Sequence, residues 1–342
     1  MRVAHLLPTL EIGGRERAAL DLAAAQRAIG IDAILVTHGS PGAGRATLDP
    51  GEVPVVPLGA GLRADLVHAH GHLSAIPAAR LGLPSLATLH VALGSGWRWA
   101  VPAIRALRQM GRVTAVSNDL ARRFSRWTRL PIETVRNGID LSRIAVTDSV
   151  PAGALRIAMS ARLHPVKRHR DAFAALSMLE AQGVRAKLLV AGDGPLEAEL
   201  RARARHRPNI ELLGPIQDVP ALLARCDALL LCSDHEGTPL ALIEALAAGR
   251  ACVATRVGGI PDLARAGDGV VLVPPRNPPA IAAALRSLVD FDRRQRLGAA
   301  ARAHAAAFDL EPAMRRYHAI YAEILSGRAA SRPVARADPA RP

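Results

Sequence analysis

Short apolar runs recur along the chain, separated by loops with glycine or proline and by longer stretches of mixed character. Runs of this length, bounded by turn residues, fit strands buried on both faces of a parallel sheet. They stand at Arg2–Pro8, Ile31–Thr37, Pro84–Leu89, Val113–Ser117, Leu155–Ser160, Lys187–Ala191, Ile210–Leu213, Ala228–Cys232, Ala251–Thr255 and Gly269–Val273. Asp65–His72 ends a further strand, and residues 39–64, rich in Gly and Pro, form a loop with one short strand at Val53–Pro57. Helices are predicted from Glu16 to about Ala28, closed at Gly30, and over a basic stretch carrying Arg105, Arg108 and Arg112. Others follow the cap Ser117-Asn118, begin at about Asp171, and run from Leu310 to about Leu325. Such strand–helix alternation predicts an α/β architecture. It restarts at Leu155, after polar residues 141–154 that suit a linker.

The run Ala228–Cys232 leads into Ser233-Asp234-His235-Glu236-Gly237-Thr238-Pro239-Leu240, where the loop at a strand's carboxyl end opens a helix. Open α/β sheets put ligands there. Thr238 and Pro239 suit the helix cap and first position, and Gly249 suits its end. The helix start offers N–H groups of Gly237, Thr238 and Leu240 to an anion or to hydroxyls. Glu244 is the one charged residue between Leu240 and Ala248. A buried carboxylate needs a partner. Either it reaches water or an Arg at the helix edge, or it works with Glu236, the two acids gripping the hydroxyls of a sugar and of a ribose.

Other loops carry chemistry of their own. Gly13-Gly14 follows the first strand and lets a ligand approach the backbone closely. It is not the G-x-G-x-x-G fingerprint, and Ile31–Thr37 does not end in a ribose-binding acid, which argues against a nicotinamide enzyme. Arg162 and Lys167 stand at the end of Leu155–Ser160, placed to clamp a diphosphate and neutralise it as it leaves. His68 and His70 share a strand face, but two histidines without carboxylates under-fill a metal site. His90 ends the strand Pro84–Leu89 as a loop residue or a ligand contact. Asp290-Phe291-Asp292 lies between late helices, away from any strand end, and is expected to be a surface turn.

Composition narrows the class. The 342 residues suffice for two domains, 50% are hydrophobic and 3% aromatic. No apolar run approaches ~20 residues, and Met1–Pro8 lacks a signal-peptide core, so a cytoplasmic protein is expected. Cys226, Cys232 and Cys252 read as core thiols without zinc spacing. The net charge is +14, yet Lys occurs only at 167 and 187, so the charge is an arginine bias. No nucleic-acid motif accompanies it, and nucleic acid is not an expected partner. Trp97, Trp99 and Trp127 cluster with Arg122, Arg123, Arg126 and Arg129, either an ordinary solvated face or a patch that rests on an anionic membrane.

Glu236-Gly237-Thr238-Pro239-Leu240-Ala241-Leu242-Ile243-Glu244 resembles the E-x7-E signature of retaining glycosyltransferase family 4, of the GT-B fold. Gly13-Gly14-Arg15-Glu16, Val67-His68-Ala69-His70, Asn137-Gly138-Ile139-Asp140 and the R-x4-K pair Arg162/Lys167 match further segments; Asp262 departs from the family's usual Glu. The resemblance implies two Rossmann-like domains whose parallel sheets face each other across a cleft. Residues 1–145 would take the acceptor and 155–309 the nucleotide sugar, with 310–325 returning to the first domain and 326–342 disordered. It implies Glu236, His90, Arg162 and Lys167 as catalytic residues. Gly13, Gly14, Arg162, Lys167, Glu236, Gly237, Thr238, Pro239, Leu240 and Glu244 would bind the donor. No metal or other cofactor is expected. The partners implied are a nucleotide diphosphate sugar and a glycan or lipid-linked acceptor, in envelope or exopolysaccharide synthesis, with the enzyme cytoplasmic or peripheral on the inner face of the membrane. A nucleotide-sugar epimerase of the same fold and a non-enzymatic sugar-nucleotide-binding protein are the rivals.

Overall fold

The computed structural model describes residues 1–42, 45–59, 61–92, 97–145, 153–264 and 267–327, without the side chains of Trp97 and Arg98. Gly94–Gly96, residues 146–152 of the expected linker and the tail from 328 lie outside the described residues.

The first half builds a seven-stranded parallel sheet. Its strands and helices are β1 (Arg2–Leu7), α1 (Gly14–Ala28), β2 (Asp32–Thr37), β3 (Val55–Pro57), β4 (Leu66–His70), α2 (His72–Arg80), β5 (Ser85–Leu89), α3 (Trp97–Leu107), β6 (Arg112–Ala115), α4 (Asn118–Thr128) and β7 (Glu133–Thr134). The order is β3-β2-β1-β4-β5-β6-β7.

The second half contributes β8 (Leu155–Ser160), α5 (His169–Ala181), β9 (Ala186–Ala191), α6 (Glu197–Ala204), β10 (Ile210–Gly214), α7 (Val219–Ala224), β11 (Ala228–Leu231), α8 (Leu240–Ala247), β12 (Ala251–Thr255), α9 (Ile260–Leu263) and β13 (Val270–Val273). Its six parallel strands run β10-β9-β8-β11-β12-β13. α10 (Pro278–Ser287), α11 (Phe291–Ala305) and α12 (Leu310–Leu325) close the described chain. Two parallel sheets with this strand order form a GT-B architecture.

Both sheets reverse direction of growth beside their first strand, at β1/β4 and at β8/β11. Loops at such points diverge and leave a crevice. α12 leaves the second half and packs on the first, where Met314, Tyr317, Ile320 and Tyr321 join Val3, Leu22, Leu66, Leu86 and Val135 in one buried cluster.

Several local expectations are corrected. His72 does not continue β4: Gly71, at φ 99°, turns the chain, and His72 begins α2. Arg112 leaves the basic helix and starts β6, where its guanidinium meets Glu323 of α12 at 3.1 Å. Asp290 is no mere turn residue; its carboxylate accepts the Arg293 N–H at 2.9 Å and caps α11. α5 starts at His169, two residues before the expected Asp171.

Candidate functional site

The loops after β8 and β11 are neighbours because those strands pair at the switch point. They bring Lys167 to Glu236: Nζ lies 2.6 Å from Oε1, which also accepts the Ser233 hydroxyl at 2.6 Å. Glu236 is buried and Lys167 mostly so, which makes this ion pair far stronger than one at the surface. Two glycines set the loop's height. A Cβ on Gly258 would overlap the Glu236 carbonyl, and one on Gly259 the Gly237 carbonyl. The loop after β8 is laid down in the same way, since a Cβ on Gly192 would overlap Ala161 and one on Gly194 would overlap Leu163.

Arg162 is not drawn into that pair. Its side chain is half exposed, and its nearest carboxylate is Glu11 of the first half, at 4.0 Å. Glu11 accepts the Gly42 N–H at 2.9 Å and faces Arg45, which in turn lies 3.5 Å from Asp193. The Gly42 N–H, then Arg45 and Arg162, hold Glu11 below its ordinary pKa against the opposing effect of burial. Ion pairs thus cross the cleft at its mouth.

Glu244 sits in the second turn of α8, facing α1. Burial, then the nearby Asp21 carboxylate, pushes its pKa up to about 7, with Arg17 acting against them. Arg17 itself donates to the Gln217 carbonyl at 3.0 Å and lies 3.8 Å from Asp21. Gly13 caps α1 in extended backbone with no side chain of its own, and a Cβ there would overlap the Glu16 carboxylate; around Gly14 there is open space.

Thr238 is placed differently from expectation. Pro239 is the N-cap of α8 and Leu240 its first residue, while the Thr238 hydroxyl donates across the cleft to the Val116 carbonyl. Its own carbonyl accepts from Asn137 Nδ2 at 3.4 Å. Gly237 is pressed against the first half as well: a Cβ there would overlap the carbonyl of His90. Asp262 accepts the N–H of Asn118, the first residue of α4, at 2.9 Å. The shorter acid therefore tethers the halves by a helix N-terminus.

On the first sheet, His90 is one of a group of buried histidines. His5, His68 and His70 bring ring nitrogens within 4.8 Å of one another, the geometry of a possible metal site. Every one of those nitrogens is hydrogen-bonded, so a cation would have to displace a partner at each ring. Burial depresses all four, His5 to about 4 and His90 to about 3, and the Arg15 guanidinium adds to the effect at His90. The long-range members of the site, Glu11, Arg45, Asp193, His5 and Gln26, were not singled out from the sequence, and neither was Ser233. Ser233, three residues before Glu236, was the one with a local signal.

Two family models cover most of this architecture: Glycosyltransferase Family 4 matches residues 12–143 and Glycosyl transferases group 1 matches residues 154–290. The chain belongs to the family 4 glycosyltransferases. Among curated relatives of this chain, the glycogen synthase of Mycobacterium tuberculosis is 31% identical over 261 residues, covering 67% of this chain and 61% of that protein. A putative colanic acid biosynthesis glycosyltransferase, WcaL of Salmonella typhimurium, is 36% identical over 175 residues, or 47% of this chain and 43% of WcaL. The chain thus spans about six tenths of the length of the first of these relatives. Among solved structures, Anabaena Alr3699/HepE in complex with UDP and glucose superposes with a TM-score of 0.79 at 18% identity, over 96% of this chain and 100% of that one. Sucrose-phosphate synthase from Thermosynechococcus elongatus gives 0.80 at 18%, over 95% and 99%. At that identity the superpositions establish the GT-B fold alone.

The membrane-facing expectation concerns α3 and α4. Trp99 is 62% and Trp127 43% exposed, and Arg122, Arg123, Arg126 and Arg129 all reach solvent. Arg122 and Arg126 border an open hollow of about 410 Å³ with Asn118 and Ile132. Among the described residues no helix is long and apolar enough to cross a membrane.

Proposed function

We propose that this chain moves a sugar, with retention of anomeric configuration, from a nucleotide diphosphate sugar to a glycan or lipid-linked acceptor in envelope or exopolysaccharide synthesis. The observation that carries the reading is the 2.6 Å pair between Lys167, on the loop after β8, and Glu236, on the loop that opens α8, with Glu244 in the second turn of that helix. An incoming diphosphate competes with Glu236 for the Lys167 ammonium. As the ammonium turns to phosphate, Glu236 is released to accept sugar hydroxyls, and Arg162, half exposed at the cleft, supplies the second positive charge. Glu244 takes the ribose hydroxyls. The departing phosphate takes the acceptor's proton, so no side chain is assigned as general base, and no metal is required to neutralise the leaving group.

The names of similar proteins support the reading: HepE is described with UDP and with UDP-glucose, which favours the donor class, and WcaL as a putative colanic acid biosynthesis glycosyltransferase, which favours a glycan acceptor. The test is transfer from a panel of nucleotide diphosphate sugars to membrane-derived acceptors with and without a chelator, with the anomeric coupling of the product read by NMR. Retained configuration and chelator-insensitive turnover are expected. An epimerised donor, or binding without turnover, selects one of the rival readings. Peripheral placement on the inner face of the cytoplasmic membrane is tested with acidic vesicles. Each surface Arg is worth about 1 kcal/mol there, so changing Arg122, Arg123 and Arg126 to Gln should release the protein; binding untouched by that change ends the membrane reading.

A further inference from the structure

Four side chains from four elements form a single buried file. Gln26 Oε1 lies 2.8 Å from His5 Nε2, His5 Nδ1 lies 3.0 Å from His70 Nε2, and His70 Nδ1 lies 3.1 Å from His90 Nε2. The rings are neutral at pH 7, because burial holds His5 near 4, His90 near 3 and His70 well below its ordinary value. A neutral imidazole carries one N–H and one lone pair, so a file of them has a direction.

The direction is set at the Gln26 end. The Tyr321 hydroxyl has one proton, and its nearer acceptor is His68 Nδ1 at 2.7 Å; with Nδ1 accepting, the neutral His68 ring carries its N–H on Nε2, 2.7 Å from the Thr88 hydroxyl. Having donated, Tyr321 can only accept from Gln26, whose Nε2 lies 3.4 Å away. That turns the amide oxygen towards His5. His5 must then donate from Nε2 and accept at Nδ1, His70 must do the same, and His90 must donate from Nε2. The last nitrogen, His90 Nδ1, is left as a bare lone pair; it is buried and has no partner among the described residues. Its residue abuts Gly237 of the donor-side loop.

We propose that Gln26, His5 and His70 are positioning residues that hold His90 in its Nε2–H tautomer, so that Nδ1 accepts a hydrogen bond from a hydroxyl of the bound sugar. The identity of the ligand rests on the transferase reading; the tautomer does not. Turning the Gln26 amide over would reverse every proton in the file and make His90 present an N–H instead.

The test labels the histidines of the full chain with ¹⁵N and reads each tautomer by long-range ¹H–¹⁵N correlation at pH 7.5. His5, His70 and His90 should all be Nε2–H. In Gln26→Met, which lacks the accepting oxygen, His90 should become a mixture, and kcat should fall about tenfold with affinity for free nucleoside diphosphate unchanged. Gln26→Glu keeps an accepting oxygen and should restore both. An Nδ1–H signal at His90 in the unsubstituted protein overturns the proposal even if Gln26→Met does not fold. So does an unaltered His90 spectrum in a folded Gln26→Met, or an unaltered kcat once the tautomer has shifted. Correct tautomers in a protein that transfers no sugar leave the file standing and remove the transferase reading instead.

Discussion

On the second sheet's side of the cleft the functional groups are ions, Lys167 against Glu236 and Arg162 towards Glu11, partly open to solvent. On the first sheet's side they are neutral rings, His5, His70 and His90, buried and joined nitrogen to nitrogen. Both sets stand at the carboxyl ends of parallel strands beside a switch point, so topology does not explain the difference. Charge does. A diphosphate arriving and departing changes the local charge and needs mobile counter-ions, whereas hydroxyls need fixed donors and acceptors and no net charge.

Removing the cation from the ionic side should have the largest effect. Lys167→Ala is expected to cut turnover about a hundredfold or more and to destabilise the fold by about 2 kcal/mol, because among the described residues Glu236 then keeps only the Ser233 hydroxyl. Adding Glu236→Gln should recover the stability, read by thermal melting, but not the turnover. Recovery of both would mean that the pair is structural.

Glu244 sharpens the contrast, being an acid kept near neutrality on the ionic side. Its folded pKa of about 7 lies above its ordinary 4.5, so the folded state binds the proton more tightly. Its contribution to stability is therefore present below pH 4.5 and is lost as pH rises through 7. Glu244→Gln should match the parent in stability at pH 4 and exceed it by roughly 3 kcal/mol at pH 8. The same variant should weaken free nucleoside diphosphate about tenfold, while Glu236→Gln should spare that affinity and lower turnover. Equal loss of the nucleotide in both variants would undo the division of roles.

The smallest effect tests the seam. Thr238→Val removes the hydroxyl bound to the Val116 carbonyl and should cost about 1 kcal/mol, seen as a lower Tm, with donor affinity unchanged. A lost donor affinity would mean that the hydroxyl, and not only the N–H expected to face the donor, serves binding.

What the sequence revealed was local. Leu155–Ser160, Ala251–Thr255 and Leu310–Leu325 stand as expected, because apolar runs and helical periodicity are properties of neighbours. Glu236 and Glu244 could be singled out because loop and helix are contiguous. The His5–His70 bond joins residues 65 apart and the Gln26–Tyr321 bond residues 295 apart; no spacing announces either. α2 was hidden for another reason: alternating His68, His70 and His72 mimic a strand, and only the turn at Gly71 separates the last from the others. Thr238 looked like a cap because Thr before Pro usually is one, but its hydroxyl found an acceptor on the opposite half.

α12 carries Tyr317 and Tyr321 back into the first half, where both complete the cluster around Leu66 and Leu86 and Tyr321 hydrogen-bonds His68. On the ribosome this imposes a wait. Domains fold in the order they emerge, at about 5–20 residues per second, so the stretch from Val135 to Leu310 takes on the order of ten to thirty seconds. Throughout it the first sheet exposes the apolar surface of Val3, Leu22, Leu66 and Leu86, and His68 Nδ1 lacks the Tyr321 hydroxyl. The half made first is the half finished last, and nascent chains halted before residue 310 should be cut by protease within residues 1–145 long after the second sheet resists it.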